Sequence, residues 1–93
     1  MITNTKSTNT NYLFWIKDYK KPIRNRCWVV CHEMMKVFPE LTLQGGTVTT
    51  EESNGNIHIT HFWLVDSEGF IVDPTERQFY VILNYYLDDS FKK

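Results

Sequence analysis

The clearest pattern in the chain is helical and lies in its second quarter, where apolar residues recur three or four positions apart. These residues are Cys27, Val30, Cys31, Met34 and Phe38. The pattern predicts a helix from about Arg26 to Val37. We expect Asn25 to cap its start, because a short polar side chain can accept hydrogen bonds from the first turn. Pro39 is expected to end it.

After this helix the pattern changes to short runs rich in β-branched residues, which are typical of strands. Gly45 and Gly46 predict a bend. A first strand is predicted at Thr47–Thr50 and the longest one at Ile57–Val65. The intervening loop contains Asn-Gly, a strong hairpin turn signal. The two strands are therefore expected to pair antiparallel.

A second tight turn, Asp66–Gly69, separates the longest strand from a third strand, Phe70–Val72, which Pro74 ends. The last apolar and aromatic segment, Gln78–Leu87, favours a helix. The predicted order is a helix, a three-stranded antiparallel meander and a closing segment. This order indicates an α+β fold in which an N-terminal helix packs on a small antiparallel sheet.

The first eleven residues are polar and differ from the rest of the chain. We predict a flexible polar tail at residues 1–11 and a single domain at residues 12–93, because 93 residues can build only one small core. Tyr12–Ile16 is too short for periodicity to separate a helical turn from a strand. Hydrophobic residues make up 42% of the chain, which argues against disorder.

Charge and apolar content exclude some classes of partner. Ten basic and eleven acidic residues leave a net charge of −1, so strong attraction to nucleic acid or to an anionic membrane is not expected. No apolar run approaches the roughly 20 residues that a membrane span needs. The start of the chain also lacks the apolar core of a secretion signal.

The only two cysteines, Cys27 and Cys31, are four residues apart. On a helix their Cβ atoms would lie about 5–6 Å apart, whereas a disulfide prefers about 3.8 Å. A disulfide is therefore not expected. A reducing, cytoplasmic location fits this cysteine content better.

A cysteine, a histidine and an aspartate each lie at the edge of a separate predicted element. Cys27 begins the helix, where the helix dipole favours a thiolate and backbone N–H groups can bind an oxyanion. Counting outwards from the Asp66–Gly69 turn puts residue 61 opposite roughly residue 74, so His61 and Asp73 are predicted cross-strand neighbours. The three residues fit a nucleophile, its base and the group that orients the base.

Each of these residues also has a structural interpretation. A free cysteine is often a small core residue, and this is the better interpretation for Cys31. His61 could equally be a buried histidine bonded to a backbone carbonyl, and Asp73 a turn residue before Pro74. The predicted pairing of His61 with Asp73 favours the functional interpretation over either residue alone.

A metal site has the right ligand types but poor spacing. The candidate zinc ligands are Cys27, Cys31, His32, His58 and His61. His58 and His61 are three apart in a predicted strand and so point to opposite faces. His32 is turned about 100° from Cys31 on the helix. No metal or other cofactor is therefore expected.

Three short motifs together resemble a known family. Arg26–Val30, His61–Trp63 and Asp73–Thr75, with Gln78 beyond them, are similar to the core of transglutaminase-like proteins in the papain-like cysteine-enzyme superfamily. That core carries a Cys-Trp at a helix start, a His-x-Trp strand and a strand ending in Asp-Pro-Thr. The resemblance covers about residues 25–79 and extends to small bacterial and phage proteins of this type.

The resemblance implies cysteine-dependent chemistry on a peptide or protein carboxamide. Cys27 would be the nucleophile, His61 the base and Asp73 the orienting residue. The acyl-thioester would be resolved by water or by an amine, as in a protease, deamidase or transglutaminase. The weaker candidates for oxyanion stabilisation or substrate positioning are Asn25, Trp28, Trp63 and Gln78.

The alternative is a binding or inhibitor module, such as a phage-encoded one, that keeps the fold without catalysis. The short chain favours it, because members of this superfamily normally carry further elements around the cleft. Most of the aromatic residues are expected in the core. An exposed subset would provide a homodimer or partner surface.

Overall fold

The structure, a computed structural model, describes residues 5–52, 55–78 and 83–87. In chain order, the elements of these residues are α1 (Thr10–Asp18), α2 (Cys27–Val37), β1 (Thr42–Glu52), β2 (Gly55–Val65), β3 (Ile71–Val72), a 3₁₀ turn (Glu76–Gln78) and β4 (Leu83–Leu87). The strands form one antiparallel sheet in the order β3-β2-β1-β4. With its helices, the described part of the chain is a small α+β protein, as the sequence pattern predicts.

Helix α2 forms where the apolar periodicity predicts it, and the middle of its apolar stripe, Val30, Cys31 and Met34, is fully buried. It ends before Pro39, and the N–H of Phe38 donates to the carbonyl of Met34 at 2.9 Å. The predicted cap is wrong. The residue before the helix is Arg26, whose side chain makes no capping hydrogen bond. Asn25 instead has φ = 59°, a left-handed conformation that asparagine tolerates better than most residues.

The predicted bend at Gly45 and Gly46 is also wrong, because both residues lie inside β1. They pair with Phe62 and His61 of β2, respectively. Glycine in a strand commonly marks a place where another group approaches closely. The two positions without side chains therefore stand opposite the two rings that border the candidate site.

The closing segment is not the helix that its composition favours. Residues 76–78 form the 3₁₀ turn, and β4 pairs with β1 from Thr50↔Leu83 to Gly46↔Leu87. Pairing with the second edge of β1 decides its conformation, and local composition does not report such a long-range contact. Residues 79–82 lie outside the described residues.

Residues 5–11 of the predicted flexible tail form hydrogen bonds with β3 and the beginning of α1. The N–H of Ser7 donates to the carbonyl of Ile71 at 2.8 Å, and the N–H of Ile71 donates to that of Thr5 at 2.9 Å. Helix α1 then begins at Thr10, within the predicted tail. Residues 1–4 lie outside the described residues.

Two apolar clusters pack against opposite faces of the sheet. One lies between the sheet and the helices and consists of Tyr12, Cys31, Met34, Leu41, Leu64 and Val72. The other consists of Val48, Trp63, Ile71 and Tyr85. Since neighbouring residues of a strand face opposite sides, Leu64 and Trp63 belong to different clusters. Over the described residues, neither helix has the length and apolar character that crossing a membrane requires.

Candidate active site

His61 and Asp73 form the buried half of the candidate site. The Nε2 of His61 lies 2.8 Å from the Oδ2 of Asp73, and each side chain is 1% exposed. The β2–β3 hairpin brings them together, with the pairs Leu64↔Val72 and Val65↔Ile71. Continuing this register places Thr75 opposite His61. The count from the sequence is therefore off by one residue, and the two side chains meet diagonally on one face.

Asp73 receives further hydrogen bonds that hold its carboxylate in place. The hydroxyl of Tyr85 donates to Oδ2 at 2.8 Å, so Tyr85 and His61 share one oxygen. The backbone N–H of Thr75 lies 3.1 Å from Oδ1, and its hydroxyl lies 3.4 Å from the same atom. A fixed carboxylate fixes the ring of His61 in turn.

Sequence reasoning missed both supporting residues. A signal for Thr75 existed, because an aspartate often bonds the backbone two residues on in a turn. Tyr85 had no such signal. It reaches Asp73 only because β4 is a strand on the far edge of β1, and the sequence pattern favours a helix there.

Cys27 completes the site as the first residue of α2, and it is half-buried. Its thiol hydrogen-bonds with the side chain of His61 and with the backbone N–H groups of Phe62 and Trp28. Because Nε2 of His61 is bonded to Asp73, Nδ1 is the ring nitrogen that faces this sulfur. The structure therefore brings all three predicted residues into one hydrogen-bonded series.

The thiol and the imidazole approach from opposite sides of the sheet. Helix α2 packs with Leu64 in one cluster, whereas the His61 ring stacks on Trp63 of the other, with their centroids 6.1 Å apart. Cys27 still reaches His61, because the first turn of α2 lies beside the edge of β2.

Both cysteines of α2 contact the backbone of one residue of that edge. The Cys31 thiol donates to the carbonyl of Phe62 at a distance of 3.8 Å, and Cys27 accepts from the N–H of Phe62. Within the described chain, β2 pairs with β3 only at Leu64 and Val65. Thiols one helical turn apart therefore bond to β2 where its pairing with β3 has ended.

The electrostatics favour an ion pair between Cys27 and His61. Burial alone would raise the pKa of the Cys27 thiol, but the hydrogen bonds from His61, Phe62 and Trp28 and the charge of His61 lower it below its ordinary value. Burial alone would lower the pKa of His61, but its hydrogen bonds to Asp73 and Cys27 and their negative charges raise it to about 9. Both shifts favour a thiolate facing an imidazolium.

Cys31 behaves differently although it lies on the same helix face. It is fully buried, and burial together with the charges of Asp73 and Cys27 raises the pKa of its thiol far above the ordinary value. A thiol that stays protonated is a poor nucleophile. This agrees with the interpretation of Cys31 as a packing residue.

The four weaker candidates occupy different environments. Trp63 is 3% exposed and lies in the core, where its ring packs against His61. Trp28 is 50% exposed beside Cys27. Asn25 contributes its backbone rather than its side chain, because its N–H donates to the Oε1 of Gln78 at 3.0 Å. That bond holds the Gln78 amide next to Asn25, which lies two residues before Cys27 in the chain.

Over the described residues, no three His, Cys, Asp or Glu side chains form a group that could hold a metal ion. The Nδ1 of His32 is bonded to the carbonyl of Trp28 at 2.8 Å. The side chain of His58 lies outside the described part of the chain.

No family model, curated protein or solved structure matches this chain. The resemblance of its three motifs to transglutaminase-like proteins therefore stays a prediction.

Proposed function

We propose that the protein is a cysteine-dependent hydrolase or acyl transferase that acts on a carboxamide or peptide carbonyl. The observation that carries the proposal is the hydrogen-bonded series from Cys27 through His61 to Asp73. One end of the series is a half-buried thiol with a lowered pKa, and the other is a carboxylate held by further donors. This is the order of groups that nucleophilic catalysis requires.

The ion pair can start the reaction without further activation. Its thiol proton already resides on Nδ1 of His61. The thiolate of Cys27 attacks the carbonyl carbon, a C–S bond forms, and the π electrons move to the carbonyl oxygen. The C–N bond then breaks as His61 donates its proton to the leaving nitrogen. Water or an amine attacks the acyl-thioester while His61 takes its proton, and breaking of the C–S bond restores the ion pair.

The first turn of α2 supports stabilisation of the oxyanion. The first hydrogen bond within the helix runs from the N–H of Val30 to the carbonyl of Arg26 at 2.9 Å. The earlier N–H groups thus have no carbonyl partner within the helix. That of Trp28 bonds to the thiol, and we assign the N–H of Cys27 to the oxyanion. With its Oε1 bonded to Asn25, Gln78 has its amide N–H groups as the second donor.

The order of the three motifs supports a transglutaminase-like or papain-like relationship as part of this proposal. The two free thiols support a reducing compartment such as the cytoplasm. The substrate would be a peptide or protein carboxamide, since the chemistry needs an acyl group bound to nitrogen.

Alkylation of the native protein by iodoacetamide, followed by mass spectrometry across pH, tests the proposal. We expect rapid labelling of Cys27 already at about pH 6–7, because the thiolate forms below the ordinary thiol pKa. The His61→Ala variant should label at least about tenfold more slowly at that pH, since the main hydrogen bond that lowers the pKa is lost. Cys31→Ala is the matched control and should leave the rate unchanged.

Labelling of Cys27 only near pH 8.5, an ordinary thiol pKa, would exclude the ion pair. For turnover we expect a decline as pH rises through about 9, where His61 loses the proton that it gives to the leaving group.

A non-catalytic binding or inhibitor module is the second candidate function. The burial of His61, at 1% exposed, favours it, because a substrate can reach the base only past Cys27. Unchanged binding of a protein partner by Cys27→Ala, together with labelling like that of an ordinary thiol, would support this candidate.

A further inference from the structure

The ten residues before the nucleophile are strongly basic. Half of the ten basic residues of the chain lie between Lys17 and Arg26, with Asp18 as the one acidic residue among them. This segment, which we term the basic segment, has a net charge of +4 in a chain whose net charge is −1. All of its charged side chains are exposed. The basic residues are Lys17, Lys20, Lys21, Arg24 and Arg26.

Hydrogen bonds fix the basic segment beside the candidate site. Tyr19 donates its hydroxyl to the carboxylate of Glu33 on α2, and its carbonyl accepts from Nη2 of Arg77 at 3.1 Å. The N–H of Asn25 is bonded to Gln78, in the 3₁₀ turn that follows Asp73. The segment is thus attached to α2, which carries Cys27, and to the turn that follows Asp73, and its last residue directly precedes Cys27.

Most of this positive charge is not neutralised within the described part of the chain. The one ion pair of the segment there joins Lys21 to Glu33 at 2.9 Å. The positive N-terminus of α2 adds to the same field. A potential of this kind attracts and orients an anionic partner.

An aromatic surface lies next to the same thiol. The Trp28 ring is half exposed and packs against Phe62 and His32, with ring centroids 5.0 and 4.3 Å away. These contacts fix the indole in one orientation. Its exposed face is available to an apolar group of a bound substrate.

We propose that the acyl donor is an acidic segment of a protein, a deduction that rests on the proposed function. A glutamine or asparagine carboxamide enters at Cys27, flanking aspartate or glutamate side chains bind the basic segment, and an apolar neighbour packs on Trp28. An acidic protein fits better than nucleic acid, because the thiolate needs an acyl carbon. The net charge of −1 also disfavours a long polyanion.

Binding to the Cys27→Ala variant tests this without requiring turnover. The probes are two short fluorescein-labelled peptides with one central glutamine, flanked in one by glutamates and in the other by serines. By fluorescence anisotropy at low salt, we expect the acidic peptide to bind at least about tenfold more tightly, and the difference to shrink as salt screens the charges. Equal affinities, or a preference that salt does not change, would overturn the proposal.

Two charge reversals then locate the binding surface. Lys20→Glu, in the basic segment, should weaken binding of the acidic peptide by about fivefold or more. The matched control is Lys36→Glu, an exposed lysine in the last turn of α2, which should change it less than about twofold. Circular dichroism melts confirm that both variants fold. An equal loss of affinity in both variants would assign the effect to overall charge and would contradict the proposed binding surface.

Two further probes separate partner classes. Tighter binding of a single-stranded DNA oligonucleotide, or of phosphatidylserine vesicles, than of the acidic peptide would overturn the assignment to protein. The labelling experiment on Cys27 uses no peptide, so the two proposals fail separately. If Cys27 is labelled already at about pH 6–7 but the two peptides bind equally well, only the acidic substrate is excluded. If the acidic peptide binds more tightly but Cys27 is labelled only at higher pH, the enzyme is excluded and a module that binds acidic proteins is left.

Discussion

The two ends of the candidate triad lie in opposite environments. Asp73 and the ring of His61 are 1% exposed and are surrounded by Tyr85, Thr75 and Trp63. At the other end, the half-buried thiol adjoins the exposed Trp28 and the exposed basic segment. We call these the closed end and the open end.

The difference shows that a small chain can hold one end of a site rigidly in the core while it leaves the other end accessible at the surface. The closed end is fixed by packing and by the hydrogen bonds to the Asp73 carboxylate, which set the orientation of the His61 ring. The open end is fixed only by the first turn of a helix and by hydrogen bonds to the sulfur. Changes at the closed end should therefore cost stability, whereas changes at the open end should cost reactivity or binding.

The largest expected effect is that of Asp73→Ala. It leaves His61, Tyr85 and Thr75 without their shared acceptor, and we expect the free energy of unfolding to fall by about 3–5 kcal/mol. Urea denaturation measures this. Asp66→Ala is the control, because Asp66 accepts two backbone N–H groups in an exposed turn and its loss should cost about 1 kcal/mol. Similar losses of stability in both variants would contradict the conclusion that the closed end contributes more to stability than an exposed turn does.

Substituting each of the two tryptophans of the site, Trp63 and Trp28, allows a direct comparison of its ends. Trp63→Ala removes a core ring against which His61 packs, so a loss of about 3 kcal/mol is expected. Trp28→Ala removes a half-exposed ring and should lower the free energy of unfolding by no more than about 1 kcal/mol. It should also weaken binding of the acidic peptide. Thermal melts and anisotropy on the same samples separate the two outcomes. A larger destabilisation by Trp28→Ala would reverse the comparison.

Tyr85→Phe changes a single hydrogen bond at the closed end, the one that its hydroxyl donates to Asp73. Without the Tyr85 hydroxyl, Oδ2 of Asp73 keeps more of its negative charge and stabilises the His61 imidazolium more strongly. The pKa of His61 should therefore rise above about 9. The loss of stability should be about 1–2 kcal/mol. Tyr12→Phe removes a buried hydroxyl that donates to Glu40 away from the site.

We expect a comparable loss of stability from Tyr12→Phe but no change in the titration of His61, followed by NMR of its ring protons. If Tyr85→Phe leaves that titration unmoved as well, the hydroxyl of Tyr85 has only a structural role.

The sequence was sufficient for the elements that local signals define. Helix α2 follows from its apolar spacing, and the β2–β3 hairpin follows from the Asp66–Gly69 turn. The structure explains that turn, because Oδ1 of Asp66 accepts from the N–H groups of Glu68 and Phe70, both at 2.9 Å. Because that hairpin carries His61 and Asp73, their pairing was predictable to within one residue.

What the sequence did not predict depends on contacts between distant segments. Strand β4, and with it the bond from Tyr85 to Asp73, exists because the second edge of β1 accepts a strand. The pairing of Thr5 and Ser7 with Ile71 is equally long-range. The bend predicted at Gly45 and Gly46 is wrong for a related reason, since both residues pair with the distant residues Phe62 and His61 of β2.

The brevity of β3 has a consequence for how the molecule avoids self-association. An uncovered stretch of strand is a template on which a second chain can add. At Phe62 the two thiols of α2 bond to the main-chain groups that such a chain would use. Cys27 is thus also part of a guard against strand addition. Chemical modification of Cys27 would remove an acceptor from that strand, so modified molecules would be more prone to aggregate.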